Sequence, residues 1–185
     1  PEEWRPHSVG AALPGLEQRI ADPATGRALP PGRDGEVQMR GPNVMQGYYK
    51  LPEQTRAVFT HDGFFKTGDM GRHDDDGHLF ITGRIKEMLI VGGENIFPRE
   101  IEEVLNKHPS VKESGVVGQM DPMRGEQPVA FVELREGATL DETALKTWCR
   151  GSLAGYKVPA EIRAVEALPR NATGKIMRRE LKKMV

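Results

Sequence analysis

The sequence is poor in cysteine, in net charge and in long apolar runs, and each shortage excludes a class of protein. One cysteine among 185 residues, Cys149, rules out an internal disulfide and a cysteine-rich metal site, and it fits a reducing, cytoplasmic setting. A formal net charge of −1 leaves no global field to recruit nucleic acid or an anionic membrane. No apolar run approaches the roughly 20 residues a transmembrane helix needs. The opening PEEWRPHSVG lacks the basic-then-apolar pattern of a signal peptide. What is abundant is turn chemistry: 21 Gly and 14 Pro, high for a helical bundle and without a collagen-like period. The length accommodates one large domain or two small ones, each able to bury a core. A start at Pro1 instead of Met raises the expectation of a processed product or a piece of a longer chain.

Residues 1–83 read as β-rich and barrel-like. GEVQMRG at 35–41 alternates Val37 and Met39 with polar neighbours, and DGFFKTGD and DDDGHLFITGR resemble short strands split by Asp-Gly turns. A short helix is predicted within 49–59, with Pro52 near its first turn. From residue 84 the pattern changes. Pro98 followed by Ile101, Val104 and Leu105 predicts a helix over 98–107. VKESGVVGQ and PVAFVELRE read as strands. TLDE at 139–142 reads as a capping box, opening a helix whose inner face is Leu145, Trp148, Cys149 and Ser152 or Leu153. A strand near EIRAV and a helix near MRRELKKM close the chain. The expectation is an α+β protein: a β-rich, barrel-like piece over 1–83, a boundary at 84–86, and a small α+β domain over 87–185.

Three segments are candidates for chemistry. RNATGKIMRRELKK at 170–183 holds six basic residues against one acidic. Lys175 follows a Thr-Gly turn there and would project as a mobile point charge, suited to a phosphate. The same composition also fits a solvated basic helix, and the spacing is not that of a Walker P-loop. In KTGDMG at 66–71, Asp69 can accept two hydrogen bonds at once, as the vicinal hydroxyls of a ribose require; an Asp stabilising its own turn has the same signature. GRIKEMLIVGGENIFPREIE at 83–102 places Arg84 and Lys86 at the boundary and Gly92-Gly93 in a tight turn, which suits either a close backbone approach to a ligand or a simple hairpin. Asp74, Asp75 and Asp76 read as a solvated turn, and the five histidines show no ligand spacing, so no metal site is expected.

TGDMG, FITGRIKEMLIVGGENIFPREIEEVL, YKVPAEI and LPRNATGKIMRREL, in this order and spacing, resemble the adenylate-forming enzymes, and within them the acyl-CoA synthetases. VGAALPGLEQRIAD is similar to the stretch these enzymes carry after their central glutamate motif. The resemblance implies a ligase that joins a carboxylic acid to AMP at the expense of ATP and then passes the acyl group to the thiol of CoA. It implies that Asp69 binds the ribose hydroxyls, that Arg84 assists at ribose and phosphate, and that Lys86 is the hinge of a mobile C-terminal lid. It assigns Lys175 as the catalytic lysine of adenylation, contacting carboxylate and α-phosphate. Gly92 and Gly93 match the loop lining the CoA channel, with a departure at Gly92, where many relatives have Lys or Ser. The family's phosphate loop, its motif for ATP-Mg²⁺ and most of its acyl pocket have no counterpart here. The expected chain is therefore the C-terminal third of such an enzyme, inactive alone, with the Mg²⁺ ligands and the N-terminal portion outside it. Two other readings stay open from the residues: an adenylation domain loading a carrier protein, and a non-catalytic module binding phosphate or nucleic acid through 170–183. Lys86 disfavours the first, because peptide-synthetase domains more often have Asp there. The near-neutral whole and the lack of aromatics among the basic residues disfavour the second.

Overall fold

The computed structural model describes residues 5–185, which divide into two compact units on either side of Lys86 and Glu87. In the first unit β1 (Glu17–Ala21), β2 (Gly35–Arg40), β3 (Phe65–His73) and β4 (Leu79–Arg84) form one antiparallel sheet in sequence order, with α1 (Pro52–Val58) between β2 and β3. Among the described residues this sheet is open, not closed into a barrel. Four strands are too few to close, and a segment near Gly10 pairs only locally with Leu79 beside β4. Ile20, Val37 and Leu79 form its small core.

The alternation expected of β2 is only half realised, because Glu36 and Gln38 are also buried. A polar network makes that tolerable: Arg19 Nε donates to Gln38 Oε1 at 2.8 Å, and Gln38 Nε2 donates to Glu36 at 3.0 Å. Arg19 continues to Asp62 with a two-pronged ion pair and lies 3.9 Å over the Phe64 ring.

The second unit is a mixed sheet with helices. β5 (Leu89–Val91) and β6 (Glu94–Ile96) make a short hairpin, followed by α2 (Pro98–Leu105), the long pair β7 (Val111–Asp121) and β8 (Gly125–Leu134), α3 (Glu142–Arg150), β9 (Glu161–Val165) and the single turn α4 (Arg178–Leu181). β9 adds parallel to β8, a connection that α3 makes possible. Helices α2 and α3 bury Ile101, Leu105, Leu145 and Cys149 against Val116, Ala130, Val132 and Ile162. Leu168, Leu181 and Ile176 pack with Val117, Val129 and Phe131 in a second cluster.

Two sequence expectations for α3 are corrected. Its N-cap is Asp141, whose carboxylate accepts from the Ala144 N–H at 2.9 Å, so Thr139 and Glu142 form no capping box. Glu142 instead accepts from the Ile162 N–H and pairs with Lys146. Trp148 is not an inner-face residue. The stripe that faces the core is the narrower one of Leu145, Cys149 and Leu153, and Trp148 lies at its rim, 42% exposed, its indole N–H donating to the Val104 carbonyl at 2.9 Å.

Cys149 has no exposed surface, and burial pushes its thiol up to about 11. Reactivity requires the thiolate and access. We expect Cys149 to resist thiol reagents at neutral pH in the native protein and to react at once in denaturant. Rapid native-state labelling would contradict the packing of α3.

Candidate functional site

Asp69 is presented by a distortion of β3. Glu36 pairs with Met70 and Gln38 with Lys66, so Thr67, Gly68 and Asp69 together face Val37 alone. The surplus residues bulge, and Gly68 takes φ +72°, a value few side chains accept. The Thr67 hydroxyl holds the bulge: it donates to the Val37 carbonyl at 2.7 Å and accepts from the Asp69 N–H at 3.0 Å. Asp69 lies opposite Arg84 in the β3–β4 register, and Arg84 Nε donates to Asp69 Oδ1 at 2.9 Å. The pair is half-exposed. Asp69 Oδ2 accepts no hydrogen bond from any described residue, so acceptor capacity is left for a hydroxyl. Lys86 lies two residues on, exposed, in the single 3-10 turn Ile85–Glu87. A surface cavity of about 510 Å³ beside the bulge is lined by Lys66, Thr67, Gly68, Arg84 and Lys86, with Tyr48.

In the second unit Gly92 and Gly93 form the two-residue turn of the β5–β6 hairpin, at φ +61° and +87°. A turn with both central residues left-handed is one glycine serves best. Residues 89–96 thus contain two strands that sequence patterning did not show. The Gly92 N–H donates to the Arg124 carbonyl at 2.8 Å, docking the tip on the β7–β8 turn.

Lys175 sits on a different hairpin, the one closed by pairing of Arg170 with Ile176. The Thr-Gly turn that precedes it is tightly bonded. Asn171 Oδ1 accepts from the Thr173 N–H, the Thr173 hydroxyl and the Lys175 N–H, at 3.0, 2.8 and 2.9 Å. Gly174 takes φ +82° to complete it. The backbone is organised while the Lys175 side chain is exposed.

The remaining charges of 170–183 are engaged. Arg170 pairs with Glu113, Arg178 with Glu87 and Glu102, Arg179 and Lys183 with Glu180, and Lys182 with Glu126. Among the described residues Lys175 is the basic group of this segment without an ion pair. No group of three or more His, Cys, Asp or Glu that could hold a metal ion occurs among the described residues. Among them, too, no helix is long and apolar enough to cross a membrane.

Two family models match the sequence, "AMP-binding enzyme" over residues 1–49 and "AMP-binding enzyme C-terminal domain" over residues 100–175. The chain belongs to the AMP-binding, adenylate-forming enzyme family. Its relatives in that family include the sulfoacetate–CoA ligase of Cupriavidus necator, 49% identical over 84% of this chain and 31% of the relative. The 2-succinylbenzoate–CoA ligase of Geobacillus kaustophilus is 48% identical over 86% of this chain and 32% of its own length. Among solved members of the family, ATP-bound MatB from Rhodopseudomonas palustris superposes with a TM-score of 0.93 at 41% identity, over 100% of this chain and 37% of that one. The chain spans about a third of the length of the relatives it matches.

Sequence reasoning singled out Asp69, Arg84, Lys86, Gly92, Gly93 and Lys175. The structure joins the first two directly and places Gly92-Gly93 and Lys175 on separate hairpins. It adds Thr67, Asn171 and Arg170. For the first two a signal was present, since a Thr two residues before an Asp and an Asn four before a Lys are the patterns of side-chain-closed turns.

Proposed function

We propose that this chain is the C-terminal third of an AMP-forming acid–CoA ligase. The carrying observation is that a well-bonded hairpin presents Lys175 without an ion pair among the described residues while each of its basic neighbours has a carboxylate partner. In the first half-reaction a carboxylate oxygen attacks the α-phosphorus of ATP and pyrophosphate leaves. Two anions must meet, and an ammonium from Lys175 offsets their repulsion as the bond forms. Asp69 takes the ribose hydroxyls through its free carboxylate oxygen, and Arg84, tethered to Asp69, points donors toward ribose and phosphate. In the second half-reaction the CoA sulfur attacks the acyl carbon, AMP leaves with the bonding electrons, and the thiol proton is released. Residues 1–83 then belong to the large domain, 84–86 are the hinge with Lys86 at its centre, and 87–185 are the mobile lid. A rotation there would withdraw Lys175 and bring Gly92-Gly93 to the pantetheine. Mg²⁺ would accompany ATP on ligands outside this chain. The relatives' printed activities favour CoA over a carrier protein as acceptor, and soluble ATP and CoA suit a cytoplasmic setting.

The test is ATP–pyrophosphate exchange with a panel of carboxylic acids, on this chain and on the complete protein. Exchange by the complete protein alone is expected, since a lid without its platform cannot preorganise ATP. No exchange by the complete protein with any acid would refute the ligase reading.

A further inference from the structure

The Lys175 hairpin raises the question of what aims it. The peptide bond between Gly174 and Lys175 is held at both ends: the Lys175 N–H donates to Asn171 Oδ1 at 2.9 Å, and the Gly174 carbonyl accepts from Arg170 Nη1 at 3.2 Å. Arg170 does more than close the turn. Its Nη2 donates to Glu113 on β7 at 2.5 Å and lies 3.6 Å from Glu133 on β8. Glu133 is itself buried and held, accepting from the Leu168 N–H at 3.3 Å and pairing with Lys112. One guanidinium thus ties the peptide that carries Lys175 to the two longest strands of the unit. The Lys175 carbonyl in turn accepts from the Asn171 N–H at 2.9 Å, so with both flanking peptides held the remaining freedom of Lys175 lies in its own side-chain torsions.

We propose that Arg170 is the positioning residue for Lys175, setting where the ammonium can reach during adenylation. The proposal rests on the assignment of Lys175 above. A point charge acts on a developing transition state only from a defined place, and displacements of about 1 Å cost up to 10²-fold in rate. A lysine at position 170 keeps a charge for Glu113 and Glu133 but lacks the fork that also spans to the Gly174 carbonyl. The hairpin is separately anchored by Leu168 and Ile176 in the apolar cluster and by the Met177 N–H to the Pro169 carbonyl at 2.8 Å, so loss of Arg170 leaves the fold standing.

The experiment measures both half-reactions in the complete ligase: pyrophosphate exchange, and thioester formation from supplied acyl-adenylate. The variants are Arg170→Met, Arg170→Lys, Lys175→Ala and the Arg170→Met/Lys175→Ala double. Arg170→Met is expected to lower exchange by up to about 10²-fold while thioester formation holds. Arg170→Lys should recover part of that loss, and the double variant should be no worse than Lys175→Ala alone. Intact exchange in Arg170→Met, equal loss in both half-reactions, or losses that multiply in full in the double variant would each overturn the role of Arg170. Those three results leave the assignment of Lys175 intact. Undiminished exchange in Lys175→Ala would remove that assignment, and with it the proposal.

Discussion

Replacing Lys175 by alanine in the complete protein is expected, on the proposed function, to lower ATP–pyrophosphate exchange by about 10²–10³-fold, the usual cost of removing one preorganised group aimed at developing charge. Thioester formation from a supplied acyl-adenylate should be nearly unchanged, because no second anion has to be brought to the phosphate in that step. Lys175→Arg should recover little of the exchange. Its charge is retained, but the planar fork is longer and demands a different approach. The backbone of the hairpin is bonded through Asn171 and Arg170, not through the Lys175 side chain, so the alanine variant removes the charge without loosening its support. Equal losses in the two half-reactions would show that Lys175 serves the fold or general binding, not adenylation.

The largest stability effect is expected at Arg178. Its guanidinium donates to Glu102 at 2.6 Å and to Glu87 at 2.9 Å, joining the start of the second unit, helix α2 and the turn α4. Glu102 is buried, and its other oxygen accepts from the Val116 N–H at 2.8 Å, covering the open edge of β7. Burial raises the Glu102 carboxyl above the ordinary glutamate range, and Arg178 opposes that rise. Arg178→Ala strands a buried carboxylate beside Glu87, which typically costs about 3–5 kcal/mol. Glu102→Gln in the same background should restore a large part, since the amide oxygen still accepts from Val116 without needing a counter-charge.

The pH dependence follows from the direction of the shift. A carboxyl whose folded value is raised favours the native state most at low pH, and that contribution is lost as pH rises through the folded value. The Arg178→Ala defect should therefore shrink as pH falls toward the ordinary glutamate range, where Glu102 is protonated. Denaturant unfolding followed by exposure of the Cys149 thiol reports on this unit. A defect that stays constant from neutral pH down to that range would show that Glu102 carries no unpaired charge in the variant.

How far the sequence reaches is clearest where its predictions and the structure part. Helix α2 was legible from Pro98 and the spacing of Ile101, Val104 and Leu105, and β7 and β8 from runs of β-branched residues, because both signals are local. The cap of α3 was misplaced by two residues. Thr139 and Asp141 are both good caps, and the strand β9, which draws Glu142 to its backbone, lies 20 residues away from that glutamate. A period of 3.6 gives a stripe but not its width, so it does not separate Trp148 at the rim from Leu145 and Cys149 in the core. Among the candidate residues, Asp69, Arg84 and Lys175 stood out by motif, whereas Arg170 and Arg178 read as surface charge. Their partners are 57 residues away in one case and 76 and 91 in the other, a separation no local pattern spans.

By itself the sequence determined much of the local grammar of this protein: α2, α3 and the long strands β7 and β8, the glycine turns at 92–93 and 174, the change of pattern at 84–86, and the motifs that place it among adenylate-forming enzymes. Only the tertiary structure decided that Arg170, Arg178 and Lys182 are paired with distant carboxylates. Six basic residues between 170 and 183 are chemically alike on the page. Packing brings carboxylates from β7, β8 and α2 against Arg170, Lys182 and Arg178, Glu180 within the segment pairs locally with Arg179 and Lys183, and Lys175 forms no ion pair among the described residues.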